Sequence, residues 1–273
     1  MPYPNDDYWK ALADGEEIQV NEKPYLLSVV DCGDLVMPTG LLAMCDPFSE
    51  MQVSGNPALQ LSPGKYPVKV TLADVSGLKD GSHLRAAYAS LVLSGQPEVT
   101  RRQMPLLNMT YHAFSVDAGL ACFVDEGALA TAMPPEKEWE EIFEDGLEAC
   151  WIKRVDDLAH IRAGLANIVL PQARHGENII LFYSGWGDGS YGVVGSFDRQ
   201  DNLTAVHIDF KVVQGPVIHT LDDNPWGKKF QALMDGLNSG KCTQAEFMSK
   251  HQELMVEMQA QVEQLKAADS RTR

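Results

Sequence analysis

Three glycines within five residues follow directly on an apolar run: Ile179-Ile180-Leu181-Phe182-Tyr183 opens into Ser184-Gly185-Trp186-Gly187-Asp188-Gly189-Ser190-Tyr191. Ordinary turns do not use this much backbone freedom. Glycine serves where φ is positive or where another group approaches the backbone closely. A strand that ends this way must turn a shaped corner, and Asp188 is then held in a defined position.

The same alternation of short apolar runs and turn signals extends along most of the chain. Runs at 25–30 and 34–44, the second bent by Pro38-Thr39-Gly40, read as strands. Tyr66, Val68, Val70 and Leu72 alternate with Pro67, Lys69, Thr71 and Ala73, the period of a half-buried strand. Further strands are predicted at 84–93, in a strand–turn or strand pair over 114–124, and at 178–183, 191–197 and 204–213. The last two are joined by the polar turn 198–202 as a hairpin. A regular alternation of strand and helix, as in a doubly wound sheet, is absent. The fold class is therefore α+β: a mainly antiparallel β-sandwich or strongly twisted sheet, with a helical insertion and a C-terminal helical hairpin.

Three parts are predicted. Residues 1–25 are a polar segment, 26–215 a β-rich core, and 225–266 an αα-hairpin. The helical insertion, 135–168, opens on Pro134-Pro135 and the acids Glu136, Glu138, Glu140 and Glu141. In the hairpin, Asn238-Ser239-Gly240 ends one helix and the capping box Thr243-Gln244-Ala245-Glu246 starts the next. Phe247, Leu254 and Met258 repeat at helical spacing on the second helix and form its candidate oligomerisation stripe.

The formal charge of −16 repels nucleic-acid phosphates and anionic lipid, so neither is expected as a partner. It favours a basic protein partner. The five cysteines (Cys32, Cys45, Cys122, Cys150 and Cys242) are scattered and never form C-x-x-C, which argues for buried reduced thiols and a cytoplasmic location. No apolar run approaches the 18 or so residues of a membrane span.

Aspartates hold most of the candidate chemistry. Asp46, Asp117, Asp125, Asp188 and Asp209 fall mostly at predicted strand ends. Converging, they would hold a divalent cation or work as an acid–base pair: Asp117, Asp188 and Asp209 are the catalytic candidates, and Asp117, Asp125 and Asp188 the metal candidates. Taken singly, an Asp beside Pro or Gly more commonly bonds its own turn. Trp186, Asp188 and Tyr191 are candidates for binding, although packing of the corner is the more ordinary role for Trp186 and Tyr191. None of the seven histidines has a metal-ligand spacing, though His207 and Asp209 share a strand face. Cross-strand pairing is the more ordinary role for both. G-x-S-x-G, Walker and Rossmann patterns are missing, so no cofactor is expected.

The segments 36–40, 45–48, 63–68, 116–119, 122–125, 184–189 and 208–210, in this order and spacing, resemble domain-of-unknown-function family 4241, found mainly in bacterial proteins. The resemblance covers roughly 28–211 and implies no established activity. Residues 230–254, with Leu233, Leu237, Gly240, Thr243, Glu246, Phe247 and Leu254, resemble the short C-terminal hairpin called SHOCT, which implies docking or oligomerisation. The leading expectation is a non-catalytic bacterial binding protein acting on a protein partner, one form being immunity-type neutralisation of a basic toxin. The alternatives are a metal-assisted hydrolase with clustered aspartates, and a structural oligomer assembled through the C-terminal hairpin.

Overall fold

The computed structural model describes residues 8–20, 23–109, 112–143 and 150–214, together with Lys229, Leu233, Thr243, Glu246 and Lys250. The chain divides into two units, Met1–Pro216 and Val217–Arg273. In the first unit two antiparallel sheets form. The larger runs β1 (Glu17–Val20), β2 (Lys23–Met37), β5 (Gly64–Asp74), β6 (Leu84–Val92), β13 (Leu203–Asp209), β12 (Gly189–Phe197) and β7 (Thr100–Gln103), and β8 (Ala113–Val116) pairs further along β12. The smaller runs β10 (Leu165–Val169), β11 (Asn178–Tyr183), β9 (Leu120–Asp125), β3 (Leu41–Cys45) and β4 (Ala58–Gln60).

The smaller sheet is buried on both faces, which is why its strands are apolar almost throughout. On one face Leu42, Met44, Phe123, Ile180 and Phe182 join the core of the larger sheet with Val70, Leu91, Val193 and Ile208. On the other, Ala43, Cys45, Cys122, Val124, Ile179 and Leu181 meet Leu129, Trp139, Phe143, Trp151 and Val155. These belong to the short helices α1 (Glu126–Ala132), α2 (Trp139–Phe143) and α3 (Trp151–Asp156). The result is sheet, sheet, helices in three layers. Each fully buried Leu or Phe contributes about 1.5–3 kcal/mol. That exceeds the roughly 1 kcal/mol net of a hydrogen bond, so apolar packing holds the layers together.

Side-chain amides close one seam between the sheets. At Cys32-Gly33 the long strand β2 bulges away from β5, with Gly33 at φ 81°. The β2 backbone exposed there is taken up from the smaller sheet. Asn167 donates to Cys32 O at 2.8 Å, and Asn178 donates to Asp34 O at 2.9 Å while accepting from Val36 N–H at 2.8 Å. A Cβ at position 33 would lie 2.9 Å from the Asn167 amide nitrogen, so glycine makes the approach possible.

Several boundaries differ from the sequence reading. Within the expected polar segment 1–25, Trp9, Ile18 and Val20 are buried and β1 pairs with β2. The helices begin at Glu126, earlier than 135, because Asp125 caps α1 by accepting from Ala128 N–H at 3.0 Å. They end at Asp156, and Leu165–Val169, overlapping the end of the expected insertion 135–168, is a strand that pairs with β11. The runs 25–30 and 34–37 are one bulged strand. β8 and β9 are adjacent in sequence but belong to different sheets, so the turn between them crosses from one layer to the other.

Of the C-terminal unit, the capping box forms: Glu246 accepts from Thr243 N–H at 2.8 Å, and Thr243 Oγ1 accepts from Glu246 N–H at 3.3 Å. Phe247, Leu254 and Met258, and the hairpin they would belong to, lie outside the described residues. Among the described residues no helix is long and apolar enough to cross a membrane.

Candidate functional site: an aromatic corner

After β11 the chain folds back on itself within four residues. Gly187 N–H donates to Ser184 O and the Ser184 hydroxyl donates to Gly187 O, both at 2.8 Å. Gly185 sits at φ 54° and Gly187 at φ 109°. At Gly185 a Cβ would meet Phe210 O at 2.8 Å, so the corner is pressed against the segment that follows β13. Tyr191, one turn on, closes it from inside: its hydroxyl lies 2.9 Å from Ser184 O and 2.6 Å from Gly187 O. Burial, and to a lesser degree the Asp188 charge, raises the phenol's pKa, so it stays protonated and remains a donor. Tyr191 was a candidate for binding. The structure buries it and uses its hydroxyl to hold the turn.

Trp186 is left outside, 55% exposed. The Arg85 guanidinium lies 5.3 Å from its ring centroid, donates to Gly185 O at 3.3 Å, and donates through Nε to His83 Nε2 at 3.0 Å. His83 meets the indole edge-on at 6.5 Å. A large aromatic ring is thus fixed on a rigid turn, with a cation stacked on it. The sequence reading missed Arg85 and His83 as neighbours of Trp186, because 100 residues separate the two segments and neither has a motif.

The aspartates divide into two groups. Asp117 and Asp188 come to the same corner: Val116 pairs with Gly189, so both acids sit one residue beyond the end of that ladder. Ser184 N–H donates to Gly119 O at 3.0 Å, joining the two glycine turns. Both aspartates are exposed. Asp46, fully buried, accepts from the backbone N–H groups of Phe48 at 2.9 Å, Asp117 at 2.9 Å and Ala118 at 2.5 Å, and so positions the Asp117 turn. Asp125 lies at the opposite end of β9, about 17 Å along the strand at 3.3–3.4 Å per residue. It caps α1 and accepts from Thr39 N–H at 3.1 Å and Thr39 Oγ1 at 2.8 Å. It therefore shares no metal with Asp117 and Asp188. Asp209 is buried on β13 opposite Gly192 and accepts from Lys211 N–H at 2.8 Å. Among the described residues no group of three or more His, Cys, Asp or Glu side chains comes together that could hold a metal ion.

A second polar cluster lies on the outer face of the larger sheet, under the Trp9 ring, which meets His207 edge-on at 5.2 Å. His207 Nδ1 is 2.8 Å from Ser90 Oγ and Nε2 is 2.9 Å from Ser196 Oγ. Ser196 bonds the Glu98 carboxylate, which pairs with Arg101. An ionised carboxylate only accepts, so the Ser196 hydroxyl donates to it and in turn accepts from His207 Nε2–H. Nδ1 is then left to accept from Ser90. Burial, then the Arg101 charge, lowers the His207 pKa to about 3, keeping the ring neutral as this chain requires. A cavity of about 390 Å³ beside it is lined by Trp9, Glu98, Arg101, Ser196 and His207 among others. Ser90, the one hydroxyl aimed at a basic nitrogen, is fully buried, so the chain of bonds satisfies polar groups and presents no nucleophile. His207 and Asp209 do share a strand face, but His207 pairs with serines across the sheet.

No curated protein and no solved structure matches the chain significantly. A family model described as a protein of unknown function, DUF4241, matches residues 35–208, which run from within β2 almost to the end of β13 and include the corner, Asp46 and His207; the chain belongs to that family.

Proposed function

We propose that this protein is a non-catalytic binding protein that docks a basic protein partner on the corner at 184–191. The observation that carries this is Trp186: a tryptophan more than half exposed, on a turn locked by Ser184, Tyr191 and two positive-φ glycines. A pre-ordered aromatic anchor loses little entropy on binding and is the residue type that dominates interface energetics. The Asp117 and Asp188 carboxylates beside it, and the net charge of −16, favour a basic partner and a salt-sensitive encounter. Neutralisation of a basic toxin, as by an immunity protein, is one form of this reading. A cytoplasmic setting suits the free thiols, and neither nucleic acid nor membrane is proposed as a partner.

The test is affinity capture from the source cells on wild-type and Trp186→Ala protein, followed by binding measurements on the purified, identified partner. A basic protein is expected whose affinity falls with salt and drops at least about tenfold for Trp186→Ala, the scale of an aromatic hot spot. A partner that binds both proteins equally at all salt concentrations removes the corner from the account.

Metal-assisted hydrolysis is a second reading, and the convergence of Asp117 and Asp188 favours it. Calorimetric titration with magnesium or manganese tests it. Binding that Asp188→Ala abolishes in a folded protein supports a metal site, and equal heats for the two proteins count against one. Assembly through 225–266 remains a proposal of its own, and a truncation at Asp223 that leaves the mass per particle unchanged would refute it.

A further inference from the structure

Cys45 and Cys122 stand directly opposite each other on β3 and β9, on the helix-covered face of the smaller sheet. Their sulfurs are 3.6 Å apart, at van der Waals contact. Opposed residues of an antiparallel pair have Cα atoms about 4.5–5.5 Å apart, inside the 4.4–6.8 Å that a disulfide spans. Closing the bond to about 2.05 Å thus calls for side-chain movement alone. Cys32 sits in the β2 bulge and Cys150 caps α3 through its sulfur, each on a different element from this pair.

We propose that Cys45 and Cys122 are a dithiol–disulfide couple whose state the helix layer protects. Both are at most 1% exposed, beneath Leu129, Phe143 and Trp151. The bond to Cys122, then burial, holds the Cys45 proton well above the usual thiol range, so Cys45 offers no thiolate while the layer is closed. Exchange takes place when the layer lifts. One thiolate attacks glutathione disulfide and releases glutathione thiolate. The second thiol then loses its proton and displaces the remaining glutathione. In sum, two protein thiols and one glutathione disulfide give one protein disulfide and two glutathione thiols, with two electrons passing to glutathione. The bond would tie β3 to β9 one residue before Asp46, whose carboxylate holds the Asp117 turn of the corner.

The experiment is equilibration of the full chain in glutathione redox buffers, starting from reduced unfolded protein. One series is refolded and a second is kept in urea. Free thiols are then blocked, and the non-reduced digest is mapped by mass spectrometry. A Cys45–Cys122 peptide is expected, 2 Da lighter than the two thiol peptides together. Its disulfide-to-dithiol ratio should be at least about thirtyfold higher in the folded series, the linkage counterpart of the usual stabilisation by a cross-link. The Cys45→Ala variant should lose this peptide and keep any other. The proposal is overturned if the ratio is no higher in the folded series than in urea, or if Cys45 links to another cysteine instead. Because it reads thiol chemistry alone, its outcome does not depend on partner binding at the corner.

Discussion

The neutral, buried His207 makes a definite claim about acid stability. Its pKa is about 3 in the folded protein and about 6.5 when unfolded. A depressed value means that the neutral ring contributes its full stabilisation above about pH 6.5 and loses it as the pH falls toward 3. Across that window the unfolded chain binds one more proton, so stability falls by about 1.4 kcal/mol per pH unit. From pH 6.5 to about pH 5 the loss is about 2 kcal/mol, and over the whole window about 5 kcal/mol. A local conflict accompanies it: a protonated Nδ1 would point a hydrogen at Ser90 Oγ, 2.8 Å away, and the serine proton would lose its acceptor. The comparison is with His207→Gln, whose amide can still accept from Ser90 and donate to Ser196 but does not titrate. Urea unfolding at several pH values gives both slopes, and the other six histidines and the carboxylates, common to both proteins, cancel in the difference. The wild type should lose about 2 kcal/mol more than the variant between pH 6.5 and 5. Parallel slopes would refute the buried neutral ring, whatever the variant's stability at pH 7.

Three further variants probe the corner and its support. Gly185→Ala forces a side chain into a left-handed position and against Phe210 O, at about 1–2 kcal/mol for the backbone plus about 1–3 for the contact, whereas Gly187→Ala meets open space and incurs the backbone strain alone. Equal urea midpoints for the two would contradict the packing of the corner on the segment after β13. Tyr191→Phe removes the hydroxyl proton that the Ser184 and Gly187 carbonyls share, while their bonds from Gly187 N–H and the Ser184 hydroxyl remain, and should lower stability by about 1 kcal/mol, with faster amide exchange confined to the corner. Asp46→Asn turns an acceptor of several N–H groups into a partial donor, and a loss of about 2–4 kcal/mol in chemical unfolding is expected.

Strands were legible in this sequence where burial alone determines the residues. Ile179–Phe182 stands out as an apolar strand, Tyr66 to Leu72 shows the period of two, and the alanine-rich run at 84–93, open to strand or helix by composition, reads as strand because it runs into Ser94-Gly95. Hairpin β12–β13 follows from its polar turn. Layer membership was hidden, since β8 and β9 look like a continuous strand–turn–strand and only long-range packing sends them to different sheets. Helix α1 did have a signal, Asp125 as an N-cap before Glu126, and a reading of Asp125 as a metal candidate obscured it. Trp9 could not be placed because a lone tryptophan in a polar segment does not reveal which sheet it covers. The Ser90–His207–Ser196 chain was equally silent: polar residues that face outward on a strand look alike whether water or another segment covers them. At the corner, glycine spacing pointed to the constrained turn and to Asp188. An aromatic after glycine serves to bind or to brace, and bracing is the more ordinary role for both rings of the corner; Tyr191 takes it, whereas Trp186 stays exposed.

The central claim is that the Trp186 face is where a partner docks. Site-specific photo-cross-linking tests it most directly, with benzoylphenylalanine placed at position 186 and, as a control, at the exposed Val169 on β10. The account predicts one basic protein captured in cells from position 186 and not from 169, with the cross-link suppressed by added salt and by an excess of unlabelled wild-type protein. Capture from 169 with none from 186, or a cross-link from 186 that wild-type protein fails to compete away, would contradict it.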